Sequence, residues 1–233
     1  MVANTLVEKT QHKIRDMILN KEYDRNNYLP SEGEMCERFG VSRATVREAV
    51  RSMEVRGLLR RVHGKGIEVI NNSVKVMTQF INDMVSLNYS DLLEVIEVRS
   101  IVEDAAANLA AERARPEDIE NMRRNLEAME TSETMDDSYY MNDLEFHINL
   151  VKAAQNQLLY TLTNAYTPLL KDVVVTSSQY DYCIEQRYHY HRNIFDAIVS
   201  GDGPKAKEMM RLHLKVNREN FNEYMQRQNI HVP

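Results

Sequence analysis

Cysteine is scarce in this 233-residue chain, which contains only Cys36 and Cys183. The two fall in different expected domains and belong to no motif. That excludes a disulfide scaffold and fits a reducing cytoplasm. No apolar run approaches the roughly 18 residues that a membrane-spanning helix needs. Met1–Asn20 is polar and amphipathic, so no signal peptide is expected. Low-complexity sequence is missing, and so is any HExxH-like pairing. The second half of the chain has no strand pattern. These absences leave a cytoplasmic, non-membrane protein with helical segments to explain.

What is present divides unevenly. The length suits two domains, each with its own core. The net charge is -6, but residues 1–75 hold 14 Lys and Arg against 10 Asp and Glu, a balance of +4. The remainder holds 15 against 25, a balance of -10. A basic module on an acidic body concentrates attraction to a polyanion in the module.

The basic module contains the most specific stretch, LPSEGEMCERFGVSRATVREAVRSMEVRGLLRRVHGKGIEVI over residues 29–70. Ser31 and Glu34 have capping-box spacing, which predicts a short helix ending at Gly40. Ser42 caps a second helix from Arg43 to about Arg56. Within it Val46, Ala49, Val50 and Met53 form an inward face, opposite Arg43, Ala44, Arg47 and Arg51. Leu58–Val62 and Ile67–Ile70 then read as two strands of a hairpin around His63-Gly64-Lys65-Gly66. Two helices joined by a tight turn and followed by a wing match helix-turn-helix geometry. In that geometry the start of the second helix meets base edges, and helix N-termini also bind phosphate.

Beyond Asn71-Asn72-Ser73, expected as the domain boundary, almost every segment has helical period, with a break expected over 131–137. The predicted helices are 74–87, about 91–113 capped by Ser90 or Asp91, 116–130 opened by Pro116, 138–154, 158 to about 180, 184–199, and 205 to about 225. The fold class is therefore mainly α: a winged helix-turn-helix over 1–72 and an all-α bundle of six or seven helices over 73–233.

Several polar side chains fall on inward faces of that bundle. Asp143 and His147 are four apart and share a face with Leu144, Val151 and Ala154. His191 lies with Ile194 and Ile198, and His213 with Met209, Met210 and Val216. His189 sits about 200° around its helix from His191 and is expected outside. One carboxylate and three imidazoles in an apolar core are costly unless bonded. A divalent metal would satisfy all four, with zinc the first choice and nickel, manganese or iron the others. Arg99 falls inward between Ile96 and Val102. It either pairs with a ligand carboxylate or forms an i, i+4 salt bridge with Glu103.

The motifs LPSE, FGVSRATVREAV and GLLRRVHGKG resemble the winged helix of the GntR superfamily of bacterial transcription regulators. The resemblance implies a DNA-contacting set of Ser42, Arg43, Thr45, Arg47, His63, Lys65 and Gly66. Gly33 stands where many members have an arginine that touches the DNA backbone, and Ala44 stands where a threonine is common. EVRSIVEDAAANLAA, NDLEFHINLVKAAQNQLL and HRNIFDAIVSGDGPKAKEMMRLHL are similar to the FCD ligand-binding domain of the FadR-like subfamily. That likeness implies Asp143, His147, His191 and His213 as metal ligands and Arg99 facing an effector pocket.

The expected function is a non-enzymatic transcription regulator. It would bind double-stranded palindromic operator DNA as a homodimer, act as a repressor, and answer to a small carboxylic or sugar acid held beside the metal. A metal-sensing regulator is the alternative. A metal-dependent hydrolase is a more distant one, because a separate general base is lacking and the wing would go unexplained.

Overall fold

The computed structural model describes residues 5–24, 26–87, 91–132, 137–178 and 184–227. Contacts group the chain into two compact units, Met1–Met77 and Thr78–Pro233. The polar cluster read as the domain boundary is where helix α4 begins, and the two units divide within that helix.

The first unit contains α1 (Leu6–Leu19), α2 (Glu32–Phe39), α3 (Arg43–Val55), β1 (Leu59–Val62) and β2 (Gly66–Val69). Capping boxes open both α1, through Thr5 and Glu8, and α2, through Ser31 and Glu34. Gly40 ends α2 in the left-handed region, with φ 68°, which costs a residue without Cβ little. Ile14, Met17, Met35, Val46, Ala49, Val50, Met53, Leu59 and Ile67 form the buried core. All four inward residues predicted for α3 are in it.

The wing begins one residue later than its sequence suggests. Gly57 closes α3 at φ 71°. Its amide donates to the Glu54 carbonyl at 2.9 Å, and the Leu58 amide donates to Met53 at 3.1 Å. These are the two bonds of a Schellman motif, so the Leu58 amide serves the helix end while its carbonyl still accepts from the Ile70 amide at 3.0 Å. The hairpin pairs antiparallel with Leu59 opposite Val69 and Val62 opposite Gly66. Gly66 therefore belongs to β2, at a φ of 121° that disfavours other residues.

After α4 (Ser73–Leu87), which the two units share, the second unit is built from α5 (Asp91–Arg113), α6 (Pro116–Glu130), α7 (Asp137–Ala153), α8 (Gln157–Ser178), α9 (Ile184–Val199) and α10 (Gly203–Arg227). Together with the first unit this makes a mainly helical protein with a two-stranded wing, as its sequence patterns predict. Helix α5 is central and packs against α7, α8, α9 and α10. Caps set two of the helix starts that differ from the expected ones. Asn156 Oδ1 accepts from the Leu158 amide at 3.1 Å and draws Gln157 into α8. Asp202 Oδ1 accepts from the Lys205 amide at 3.1 Å, so α10 starts at Gly203 with Pro204 in its first turn. The cap proposed at Ser90, the end of α8 near Tyr180, and Cys183 lie outside the described residues.

Candidate functional site

Two regions carry the predicted site residues. In the first unit, Ser42 caps α3. Its Oγ accepts from the Thr45 amide at 3.2 Å and lies 2.9 Å from Thr45 Oγ1. This holds the first turn of α3 with Ser42, Arg43, Ala44 and Arg47 exposed and Thr45 half-buried. At the hairpin, the Lys65 amide donates to the Val62 carbonyl at 3.0 Å. His63, Lys65 and Gly66 are exposed there. A Cβ on Gly64 would meet no atom within 4 Å, so the wing tip is open.

A long-range ion network, invisible to sequence spacing, underlies this surface. Glu32, in the first turn of α2, accepts from Arg47 Nε at 2.7 Å and from Arg61 Nη1 at 2.8 Å. Arg61 also donates to Glu54, from its amide at 2.8 Å and from Nε at 3.2 Å. Partial burial pushes the Glu32 carboxyl up, but Arg47 and Arg61 outweigh that and hold it below the usual carboxylate range. The hydrogen bond to Glu32 in turn raises the Arg47 guanidinium.

The second unit brings Asp143 and His147 of α7, His191 of α9 and His213 of α10 together in its core. Each is at most 2% exposed, and one ligand atom from each lies within 4.8 Å of the others. His147 Nε2 is 3.1 Å from His213 Nε2 and 3.3 Å from His191 Nε2. His191 Nε2 is 3.0 Å from Asp143 Oδ1. Phe146 meets the rings of His147 and His191 edge-on. Asn217, one turn beyond His213, places its side-chain amide 3.3 Å from His213 Nε2. His189 is exposed, as its place on α9 predicts.

Arg99 and Glu103 of α5 border this cluster. Arg99 is 4% exposed and Glu103 is 1% exposed. Arg99 Nε donates to Glu103 Oε1 at 2.8 Å, so the i, i+4 salt bridge named as one reading of Arg99 is present. The other reading is not displaced by it. Arg99 Nη2 is buried and has no hydrogen-bond partner among the described residues. Sequence spacing identifies Glu103 only as a partner of Arg99, yet its Oε2 also lies 2.6 Å from His147 Nδ1. Its position four residues after Arg99, on the same inward face of α5, is the signal that could have revealed it.

The electrostatics follow from burial. Desolvation lowers His147 despite the opposing Glu103 charge. Desolvation, with His191 and His147 as neighbours, lowers His213 well below the ordinary imidazole value. Burial also pushes the Glu103 carboxyl up, but Arg99 and His147 more than offset it and bring it to about 2. Three Nε2 atoms and a carboxylate thus face one point, with His147 and His213 favouring the neutral form. Each neutral imidazole has a single N–H, so proton sharing cannot satisfy every one of these contacts. A cation at their centre would accept a lone pair from each, and neutral imidazole with carboxylate is a donor set suited to a divalent metal. The residues present therefore fit a metal ion.

Comparison with known proteins places both regions. The model for bacterial regulatory proteins of the gntR family matches residues 6–69. The FCD domain model matches residues 94–216, a span that includes Arg99, Glu103 and all four clustered residues. The chain is 29% identical over 203 residues to the HTH-type transcriptional regulator LutR of Bacillus subtilis, covering 85% of this chain and 93% of that one. It is 28% identical over 218 residues to the Uxu operon transcriptional regulator of Escherichia coli, covering 91% and 84%. It is also 28% identical over 196 residues to the galactonate operon transcriptional repressor of the same organism, covering 82% and 86%. Among solved structures, a Streptococcus agalactiae GntR protein superposes with a TM-score of 0.73 at 26% identity, covering 91% of this chain and 99% of that one.

Proposed function

The chain belongs to the gntR family of bacterial regulatory proteins, as a transcription regulator with a C-terminal FCD domain rather than an enzyme, and from that premise we propose how it is controlled. It binds a palindromic operator as a homodimer and represses transcription until a small organic acid of the sugar-acid class enters the helical domain. The observation that carries this reading is the convergence of four buried ligand groups within 4.8 Å. Asp143, His147, His191 and His213 would hold a divalent metal, zinc first and nickel, manganese or iron otherwise. Bound there, the metal would act as a Lewis acid toward a carboxylate or hydroxyl of the effector. The buried Nη2 of Arg99, without a hydrogen-bond partner among the described residues, would take the effector's carboxylate. Relatives named for the galactonate and Uxu operons support a sugar acid over other carboxylates.

In the reader, Ser42, Arg43, Thr45 and Arg47 would enter the major groove, and His63, Lys65 and Gly66 would meet the backbone or minor groove. The acid shifts operator affinity by as much as its affinities for the two states of the regulator differ. No helix among the described residues is long and apolar enough to cross a membrane.

The test is fluorescence anisotropy with genomic operator fragments. Zinc-loaded and chelator-stripped protein is titrated with and without galactonate and related hexonates. Release of DNA by an acid only in the loaded form supports the reading. Release by metal alone would make the metal itself the signal, and no response to either would overturn the proposal.

A further inference from the structure

Glu103 makes contacts that an ordinary ion-pair partner does not. It is almost fully buried on α5, and its two carboxylate oxygens face different groups. Oε1 accepts from Arg99 Nε at 2.8 Å. Oε2 lies 2.6 Å from Nδ1 of His147, the ring nitrogen turned away from the cluster. The opposite nitrogen, Nε2, is the one that reaches His213 and His191.

We infer that Glu103 is the positioning residue of the cluster: its carboxylate accepts the Nδ1 proton of His147 and so leaves the Nε2 lone pair aimed at Asp143, His191 and His213. Oε2 and Nδ1 are 2.6 Å apart but do not meet hydrogen-bond geometry as placed. An ionised carboxylate can only accept, so a small turn of the ring into line puts the proton on Nδ1. A neutral ring with Nδ1–H has its free lone pair on Nε2. The other tautomer would present an N–H to the centre and repel a cation. Such an outer carboxylate fixes ring orientation as well as tautomer and makes the imidazole a better donor. The inference rests on the metal-site reading above and adds a consequence. Because the same carboxylate grips Arg99, a change at the arginine is transmitted through a single side chain to a metal-facing nitrogen. Anion capture at Arg99 and metal affinity are therefore linked, and linkage is reciprocal.

The test uses the full chain stripped of metal, with histidine labelled in the imidazole nitrogens. In the parent protein, nitrogen NMR should show His147 with its proton on Nδ1. In Glu103→Gln the permanently charged Arg99 claims the amide oxygen, which turns the amide NH2 toward His147. The expected result is inversion to the Nε2–H tautomer and a 10- to 100-fold loss of zinc affinity in chelator competition. Adding Arg99→Met frees the amide oxygen to accept from Nδ1, so the double variant should recover both tautomer and zinc binding. It also removes both buried charges and keeps the question open to measurement if the single variant fails to fold. A parent protein with its His147 proton on Nε2 would overturn the inference. So would a folded Glu103→Gln variant with unchanged tautomer and zinc affinity within twofold. A parent that binds no zinc but shows the Nδ1 proton, inverted by Glu103→Gln, overturns the metal reading alone.

Discussion

The two units use charged side chains in opposite ways. In the reader unit, Arg47, Arg60 and Arg61 are between 42% and 61% exposed, and each is paired with a glutamate. Such pairs contribute little to stability in water, so an incoming phosphate can replace a glutamate at little cost. In the helical unit, Arg99, Glu103, Asp143 and three imidazoles are nearly dry. There each charge depends on a particular neighbour, because a buried charge without a partner is strongly destabilising. The same residue types are therefore exchangeable in one unit and interlocked in the other. On the proposed reading, the first unit would touch many sequences weakly, whereas the core would hold few ligands and only where its donors point.

Metal withdrawal tests the interlocked side and has the largest expected effect. Zinc at a thousandfold excess over its Kd should stabilise the chain by about 4 kcal/mol, a rise of roughly 10 °C in Tm. Asp143→Ala combined with His147→Ala should abolish that rise in calorimetry and lower the zinc content. An unchanged zinc-dependent Tm in this variant would remove the cluster from consideration as the metal site.

On the exchangeable side, Arg43→Ala should weaken operator binding by about 2 kcal/mol, some thirtyfold, with reduced discrimination between operator and random DNA. Lys65→Ala should instead weaken all DNA alike and reduce the salt slope by about one. Anisotropy at several salt concentrations distinguishes the two. Equal losses on operator and random DNA for Arg43→Ala would make it a backbone contact.

Acid should reach the buried side first. His147 and His213 are held below their ordinary value of 6.5, so the unfolded chain binds their protons more readily than the folded one. Their contribution is whole above pH 6.5 and falls as pH drops from there. Glu103, at about 2 against 4.5, adds a second loss as pH falls from 4.5 toward 2. The Tm of metal-free protein should accordingly decline between pH 7 and 5.5. A flat profile over that interval would mean that the two imidazoles are not held neutral by the core. The smallest effect belongs to the wing, where Arg60→Ala removes the bond to Glu68 and should change stability by less than about 1 kcal/mol.

Much of this division was legible in the chain because it is written in local periodicity. Ser31, Ser42, Gly40 and Gly57 marked the ends of α2 and α3, since caps and left-handed termini act over a few residues. Asp143, His147, His191 and His213 were legible as inward-facing because each shares a helical face with apolar neighbours. The cost of burying four polar groups argues for their convergence on one ion, family likeness sharpens it, and the fold brings them together. Glu103 escaped because its i, i+4 pairing with Arg99 already accounts for it, although its place on the inward face of α5 was a signal that it is no surface ion pair. The Glu32 network escaped for a different reason: Glu32 and Arg61 are joined by tertiary packing, which no spacing rule encodes. Helix starts at Gln157 and Gly203 were displaced by caps at Asn156 and Asp202 that helical period alone does not reveal.

Glu32 has one more consequence. A long arginine side chain free in solvent samples many rotamers, and fixing it at an interface costs on the order of 1 kcal/mol. Glu32 already holds Arg47 and Arg61 by one oxygen each, and Arg61 is tied again to Glu54. For the arginine proposed to meet the groove, much of that ordering has taken place before any DNA arrives. The acidic residue of LPSE, which would repel phosphate if it stood alone, biases two cations toward the places they hold, so less ordering is left for DNA to impose than their exposure suggests.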